Sequence, residues 1–287
     1  MADWSEIEAL KRIPLTKLFA DDPERLGKYS ADVSGIHFDW SKTHLTDEAI
    51  KAFEKLAKAS NLAGKREALF SGQVINVTEN RAVTHTAERG EGAKDDVAAA
   101  QALHARMRAL IDAIEAEALG PIRNILHVGI GGSALGPDLL IDALGRDANR
   151  YEVAIVSNVD GLALEEAFKR FDPSATVLAI ASKTFTTTET MLNAESVIEW
   201  MQAGGVEDPY GRVVALTADP DKAIEWGVDE TRVLPFADTV GGRYSLWSSI
   251  GFPAAMALGW DAFSELLEGA AEMDRHFRLS ALHENVP

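Results

Sequence analysis

Residues 125–137 read ILHVGIGGSALGP, a short apolar run that leads directly into a glycine-rich loop. Similar apolar runs follow at EVAIVS (152–157), TVLAIAS (176–182) and RVVALTA (212–218), with helical segments between them. Strands that alternate with helices are typical of βαβ units, in which helices cover both faces of a parallel sheet. The sequence therefore predicts an α/β domain with a parallel sheet over residues 118–287.

The residues before this sheet have helical periodicity. Thr46 is a predicted N-cap, and after it apolar residues recur at helical spacing at Ile50, Phe53, Leu56 and Ala57. A second, longer stripe ends before Gly120-Pro121 and consists of Leu103, Met107, Leu110 and Ile114. Residues 69–94 show no sustained period and are predicted to form an ordered loop region. We therefore expect residues 1–117 to be a helical segment that precedes the sheet domain.

Composition excludes several classes of protein. The 287 residues carry a net charge of −17, so the basic footprint of a nucleic-acid binder is absent. No apolar run approaches the roughly 20 residues that span a bilayer, and the first residues lack the basic and apolar regions of a secretory signal. The chain has no cysteine, hence no disulfide or thiolate chemistry. We expect a cytosolic protein with neither a nucleic-acid nor a membrane partner.

The loop GIGGSALGP (129–137) follows the first predicted strand and opens a helix. Its glycines permit close backbone approach, and Ser133 adds a hydroxyl where free N–H groups favour an anion. The loop also fits a dinucleotide fingerprint loosely, as Gly129-x-Gly131-x-x-Ala134. That alternative requires an acidic residue at the end of the second strand, which instead ends in Ser157-Asn158. Phosphate binding is therefore favoured over nucleotide binding.

The stretch SKTFTTTET (182–190) follows the third predicted strand and leads into a helix. Hydroxyls and N–H groups at a helix start, with one lysine beside them, can bind a phosphate without a metal. The residues that point to this chemistry are Ser182, Lys183, Thr184 and Thr187. The alternative is that these hydroxyls are only N-caps and surface groups. A second phosphate-type loop on a neighbouring strand favours the binding interpretation.

A third loop, DTVGGRYSLWSSIG (238–251), places Arg243 after two glycines and before an aromatic helix start. The backbone at Gly242 can approach a ligand closely, and the guanidinium can then face developing negative charge. The alternative is an ordinary surface arginine in a glycine turn.

Together, VGIGGSALGP, SKTFTTTET and VGGRYSLWS resemble the glucose-6-phosphate isomerase family. INVTENRAVTHTA (75–87) and IHFDWSKTHLTDEAI (36–50) match it as well, so the resemblance runs in collinear order over essentially the whole chain. It implies a sugar-isomerase fold of the flavodoxin-like type. It also implies reversible conversion of glucose 6-phosphate to fructose 6-phosphate, in glycolysis and gluconeogenesis, through a cis-enediol(ate) without metal or organic cofactor. The chain departs from the family at Thr188, where Gln is common, and at Thr239, where Trp is common.

The resemblance assigns roles to particular residues. The phosphate cradle falls on Ser182, Lys183, Thr184 and Thr187, and the same pocket is lined by Gly132 and Ser133. Arg243, with Gly242, is expected to stabilise the enediolate. The family's base Glu, ring-opening His and C-terminal Gln/Lys pair are expected beyond residue 287. The alternative function is therefore a sugar-phosphate-binding module without catalysis.

Other residues receive structural interpretations. Glu189 is expected to orient Lys183, His127 to be a packed core histidine, and His104 to lie at the boundary of the core. The resemblance implies a homodimer. In addition, the stripe of Leu103, Met107, Leu110 and Ile114 is expected to stay uncovered and so to promote self-association. The alternative is that the N-terminal helices fold back on the sheet domain and bury this stripe within one chain.

Overall fold

The protein is described by a computed structural model that covers residues 3–146 and 149–287. The described residues form two compact units. The first contains the residues up to Ala82 together with Glu268–Pro287, and the second is Val83–Leu267. The boundary expected after residue 117 falls inside the second unit, and it stays a prediction about where the sugar-phosphate-binding part begins.

The first unit contains short helices and one hairpin. Its elements are α1 (Ser5–Glu8), α2 (Leu15–Asp21), α3 (Arg25–Lys28), β1 (Ser30–Val33), β2 (Ile36–Asp39), α4 (Asp47–Ala59) and α5 (Leu62–Phe70). The Thr46 hydroxyl accepts a hydrogen bond from the Ala49 N–H, which confirms the predicted N-cap of α4. The hairpin was not predicted from the sequence; its two-residue turn has φ of 49° at Ser34 and 76° at Gly35.

The second unit alternates strands and helices after one long helix. Its elements are α6 (Lys94–Glu115), β3 (Asn124–Gly129), α7 (Gly132–Gly145), β4 (Glu152–Val156), α8 (Gly161–Arg170), β5 (Thr176–Ala181), α9 (Thr188–Ala203), β6 (Val213–Thr217), α10 (Pro220–Trp226), β7 (Val233–Pro235) and α11 (Phe252–Leu258). The last helix, α12 (Trp260–Leu279), begins in this unit. None of the helices within the described ranges is long and apolar enough to cross a membrane.

The strands of the second unit form a parallel sheet in the order β4-β3-β5-β6-β7. Numbered along the sheet's own strands, this is the flavodoxin-like order 2-1-3-4-5. The predicted fold class and the four predicted strands are confirmed. The edge strand β7 was missed because it is only three residues long. The order reverses between β3 and β5, and ligands of such sheets bind at that reversal, outside the carboxyl ends of the strands.

Both faces of the sheet are covered within the second unit. On one face, Met107, Ile111 and Ile114 of α6 are buried against strand residues such as Ile125 and Val177. The expectation that the α6 stripe stays uncovered is therefore wrong, because this helix packs on the sheet of its own unit. The other face is covered mainly by α8 and α9, which pack on Leu126, Val128, Leu178 and Ile180.

Candidate active site

Two of the predicted loops start side by side at the reversal of strand order. Gly129, the last residue of β3, pairs in register with Ala181, the last residue of β5. A Cβ on Gly129 would lie 3.0 Å from the Ala181 carbonyl oxygen and 3.1 Å from the Ser133 Cβ. The glycine thus allows the start of α7 to approach the end of β5 closely.

The glycine loop is also in backbone contact with the arginine loop. Gly131 turns the chain with φ of 60° and ψ of −124°, and α7 begins at Gly132. A Cβ on Gly132 would lie only 2.0 Å from the Gly242 carbonyl oxygen. The Ser245 hydroxyl donates to that same carbonyl at 2.7 Å. The structure therefore brings together Gly132 and Gly242, which lie in different predicted site loops.

His127 lies beneath the glycine loop, on β3. Its ring is fully buried, and Nε2 donates to the Ser133 carbonyl oxygen at 2.7 Å, while Nδ1 has no hydrogen-bond partner in the described part of the chain. Burial lowers the pKa of His127 to about 4, against a smaller opposite effect of the Ser133 carbonyl. The predicted core position is confirmed. This neutral imidazole additionally anchors the first turn of α7.

Side-chain hydroxyls of the loop after β5, the hydroxyl loop, are hydrogen-bonded to one another. The Ser182 hydroxyl lies 3.1 Å from the Thr187 hydroxyl, and the Thr184 hydroxyl lies 2.8 Å from that of Thr186. Thr187 is the N-cap residue of α9, yet among the described residues no side chain caps this helix. The Thr187 hydroxyl therefore does not act as a helix cap. The positive end of α9 is available to an anion.

Lys183 reaches from the hydroxyl loop to the arginine loop. Its Nζ donates to the Asp238 carbonyl oxygen at 2.6 Å and lies 2.8 Å from the Asp238 carboxylate. Asp238 therefore orients Lys183, and the expectation that Glu189 does so is wrong. Glu189 is exposed in the first turn of α9.

Arg243 lies in a 3-10 helix, Gly242–Trp247, which we call the arginine turn. The side chain is exposed, and within residues 3–146 and 149–287 the guanidinium has no hydrogen-bond or ion-pair partner. Together with Lys183 and the N-termini of α7 and α9, it provides positive charge at this edge of the sheet. Asp238 and Glu189 partly offset that charge.

Sequence reasoning missed the residues that support the arginine turn. The Thr84 N–H donates to the Thr239 carbonyl oxygen at 3.2 Å, and the two threonine hydroxyls are 2.6 Å apart. The His85 ring stacks on the Tyr244 ring with centroids 4.8 Å apart. The only available signal was that this segment matched the family pattern, since no role followed from its residue types.

The dinucleotide alternative loses its main support. The sheet order differs from the 3-2-1-4-5-6 order typical of dinucleotide-binding sheets. Asp160, the acidic residue nearest the end of β4, accepts from the Leu162 N–H as the N-cap of α8. Its carboxylate therefore already has a structural role.

Comparison with known proteins identifies the family. The model of the family described as phosphoglucose isomerase matches residues 39–287. The chain belongs to this family. It is 66% identical over 286 residues to a glucose-6-phosphate isomerase of Rhizorhabdus wittichii and covers 57% of that protein. A glucose-6-phosphate isomerase of Zymomonas mobilis is 58% identical, again over essentially this whole chain and 56% of its own length.

A solved structure supports the same family membership. The crystal structure of a glucose-6-phosphate isomerase from Chlamydia trachomatis superposes with a TM-score of 0.86 at 27% identity. The superposition covers 98% of this chain and 56% of the other. This phosphoglucose isomerase family member thus spans a little over half the length of the relatives it matches.

Proposed function

We propose that the three loops bind the phosphate and the reacting carbons of glucose 6-phosphate and fructose 6-phosphate. The observation that carries this proposal is the convergence of the loops. Gly132 is in backbone contact with Gly242, Lys183 is bonded to Asp238, and Ser133 lies beside the end of β5. Three segments that are far apart in sequence therefore form one anion-binding edge.

Each loop has a proposed chemical task. The α9 N-terminus, with the hydroxyls of Ser182, Thr184 and Thr187, binds the phosphate oxygens through charge-assisted hydrogen bonds. Gly132 and Ser133 close the same pocket from α7, and Lys183 adds a cation. Arg243 stabilises the negative charge of the enediolate, because a guanidinium that no described residue engages, on a preorganised turn, is ready when charge develops.

The parent reaction that we propose is the aldose–ketose isomerisation of these sugar phosphates, as in glycolysis and gluconeogenesis. It moves a proton between C1 and C2 and so requires a general base. Within the three loops, all of them in the described part of the chain, there are two carboxylates: Asp238 is engaged by Lys183, and Glu189 is exposed at the start of α9. We assign the base to neither. This observation favours, as second candidate, a sugar-phosphate-binding module without turnover.

The affinity of residues 1–287 for glucose 6-phosphate, measured by calorimetry, tests the binding proposal. Lys183→Ala and Thr184→Val are each expected to weaken binding by roughly 1–3 kcal/mol, the scale of a hydrogen bond to a charged group. Lys169→Ala removes the same charge from α8, where the side chain contacts Glu165, and serves as the control. Unchanged affinity in both loop variants, or tighter binding of NAD⁺ than of the sugar phosphate, contradicts the proposal.

A coupled assay on the same preparation separates the two candidate functions. Turnover at an ordinary enzymatic rate, retained after removal of host isomerase, favours the complete isomerase reaction. Binding without turnover favours the binding module. The Arg243→Lys variant sharpens the distinction, because it is expected to lower turnover while phosphate affinity stays unchanged.

A further inference from the structure

A buried carboxylate lies behind the arginine turn. Glu88, in the 3-10 helix Ala87–Arg89, has only 4% of its surface exposed, and His104 of α6 has 9%. A buried carboxylate is costly unless a partner compensates it, so its presence calls for a reason. No role was predicted for Glu88 from the sequence, and His104 was expected only at the boundary of the core.

The His104 imidazole joins this carboxylate to the arginine turn. Its Nε2 lies 2.8 Å from the Trp247 carbonyl oxygen and 3.2 Å from the Glu88 Oε2. Because both neighbours are acceptors, Nε2 carries the hydrogen. It donates to the Trp247 carbonyl, and Glu88 Oε2, which accepts no hydrogen bond from the described residues, attracts the N–H electrostatically. The rings of Trp260 and Phe263 meet the imidazole edge-on and fix its orientation.

The contact with Trp247 restrains one end of the turn that carries Arg243. The approach to the other end is restrained by Thr84, which is bonded to Thr239, and the middle by the stacking of His85 on Tyr244. Among the described residues the Arg243 side chain has no hydrogen-bond or ion-pair partner, so the backbone of the turn aims it. A mobile turn would have to be ordered when the ligand binds, and that ordering would reduce affinity.

We propose that Glu88 and His104 are a positioning pair that holds the arginine turn in place for the sugar phosphate. His104 supplies the hydrogen bond to Trp247, and Glu88 keeps the imidazole oriented with its Nε2–H toward that carbonyl. The pair touches no ligand and acts through Arg243. The part that concerns ligand affinity rests on the proposed function, whereas the part that concerns the turn does not.

Hydrogen exchange of the turn tests the pair independently of any ligand. In His104→Ala, the amides of residues 244–248 are expected to exchange about tenfold faster, while amides of β5 and β6 keep their rates. His104→Gln retains a side-chain N–H donor and is expected to restore most of the protection. Glu88→Gln is expected to cause a smaller increase of about threefold. Ile111→Val, a loss of one buried methylene group on the same helix, is the control for general destabilisation.

The affinities for two ligands form the second readout. In His104→Ala, binding of glucose 6-phosphate is expected to weaken about 3- to 10-fold, while binding of inorganic phosphate at the hydroxyl loop stays unchanged. An equal rise in exchange throughout the second unit, or no change at residues 244–248 in any of the three variants, overturns the positioning role. If His104→Ala fails to fold, His104→Gln and Glu88→Gln decide the question. If the unmodified chain binds no glucose 6-phosphate but exchange still rises locally, the proposed function fails and the positioning of the turn stands.

Discussion

The hydroxyl loop and the arginine turn lie at the same edge of the sheet but are held in different ways. In the hydroxyl loop the side-chain hydroxyls are bonded to one another, through the pairs Ser182–Thr187 and Thr184–Thr186, and the backbone is bonded to the adjacent end of β6. The arginine turn is held mainly from outside, by Thr84, by His104 and by the close packing of Gly132. Its one internal side-chain support is Ser245, which donates to the Gly242 carbonyl.

This difference separates two requirements of an anion site. Phosphate needs a fixed array of N–H and hydroxyl donors, and a helix N-terminus with nearby threonines provides one locally. Charge that develops during a reaction needs a cation at a defined place, and a long flexible side chain reaches that place only if its backbone is held. The arginine turn therefore depends on distant residues, and perturbing those residues should affect the two regions unequally.

Gly132→Ala should have the largest effect, because it breaks the contact on which the arginine turn rests. The new Cβ would lie 2.0 Å from the Gly242 carbonyl oxygen, and its nearest neighbours are all backbone atoms, which cannot move aside as a flexible side chain could. We expect a loss of about 3 kcal/mol in the free energy of unfolding, at the upper end of typical overpacking costs. Denaturant titration measures this loss.

Gly161→Ala is the matched control for that substitution. Gly161 is also the first residue of a helix, and nothing lies within 4 Å of its added Cβ. We expect no destabilisation there, and a gain of up to about 1 kcal/mol from the reduced entropy of the unfolded chain. Equal losses at both glycines would show that the contact between Gly132 and Gly242 does not govern the site.

His127 offers a test of the glycine loop through the pH dependence of stability. The pKa of the folded imidazole is about 4, below the ordinary 6.5, so between these values the unfolded chain binds a proton that the folded chain does not. The contribution of the neutral His127 to the free energy of unfolding is therefore fully present above pH 6.5 and is lost as the pH falls toward 4. At pH 5 we expect a loss of about 2 kcal/mol. His127→Gln, which keeps a donor for the Ser133 carbonyl, should lack this part of the pH dependence. A variant with the same slope as the unmodified chain would contradict the assignment.

Thr84 and Thr239 provide the smallest test and the most specific one. Thr84→Val and Thr239→Val should each cost about 1 kcal/mol, because each leaves one hydroxyl without its partner. The double variant should cost less than the sum, since both partners are then apolar. A double-mutant cycle on unfolding free energy measures this coupling. Purely additive costs would mean that the 2.6 Å contact between the hydroxyls does not support the arginine turn.

Elements with a strong local signal were predictable. The three central strands β3, β5 and β6 are buried on both faces and so read as continuous apolar runs, and Thr46 has the residue type and position of an N-cap. The edge strand β7 and the β1–β2 hairpin were missed because three or four residues carry too little periodicity. The candidate phosphate loop was also predictable from local sequence, because its donors are neighbours in the chain.

The amino-acid sequence alone was sufficient for the order of strands and helices and for the donor-rich loops, because these depend on residues within one or two helical turns. The tertiary structure decided which distant groups meet. Lys183 pairs with Asp238 across 55 residues, His104 with Trp247 across 143, and Thr84 with Thr239 across 155. The burial of the apolar stripe of α6 likewise depends on contacts between residues that are far apart in the sequence. Such contacts follow from strand order and helix packing, and a side chain's own neighbours in sequence carry no information about them.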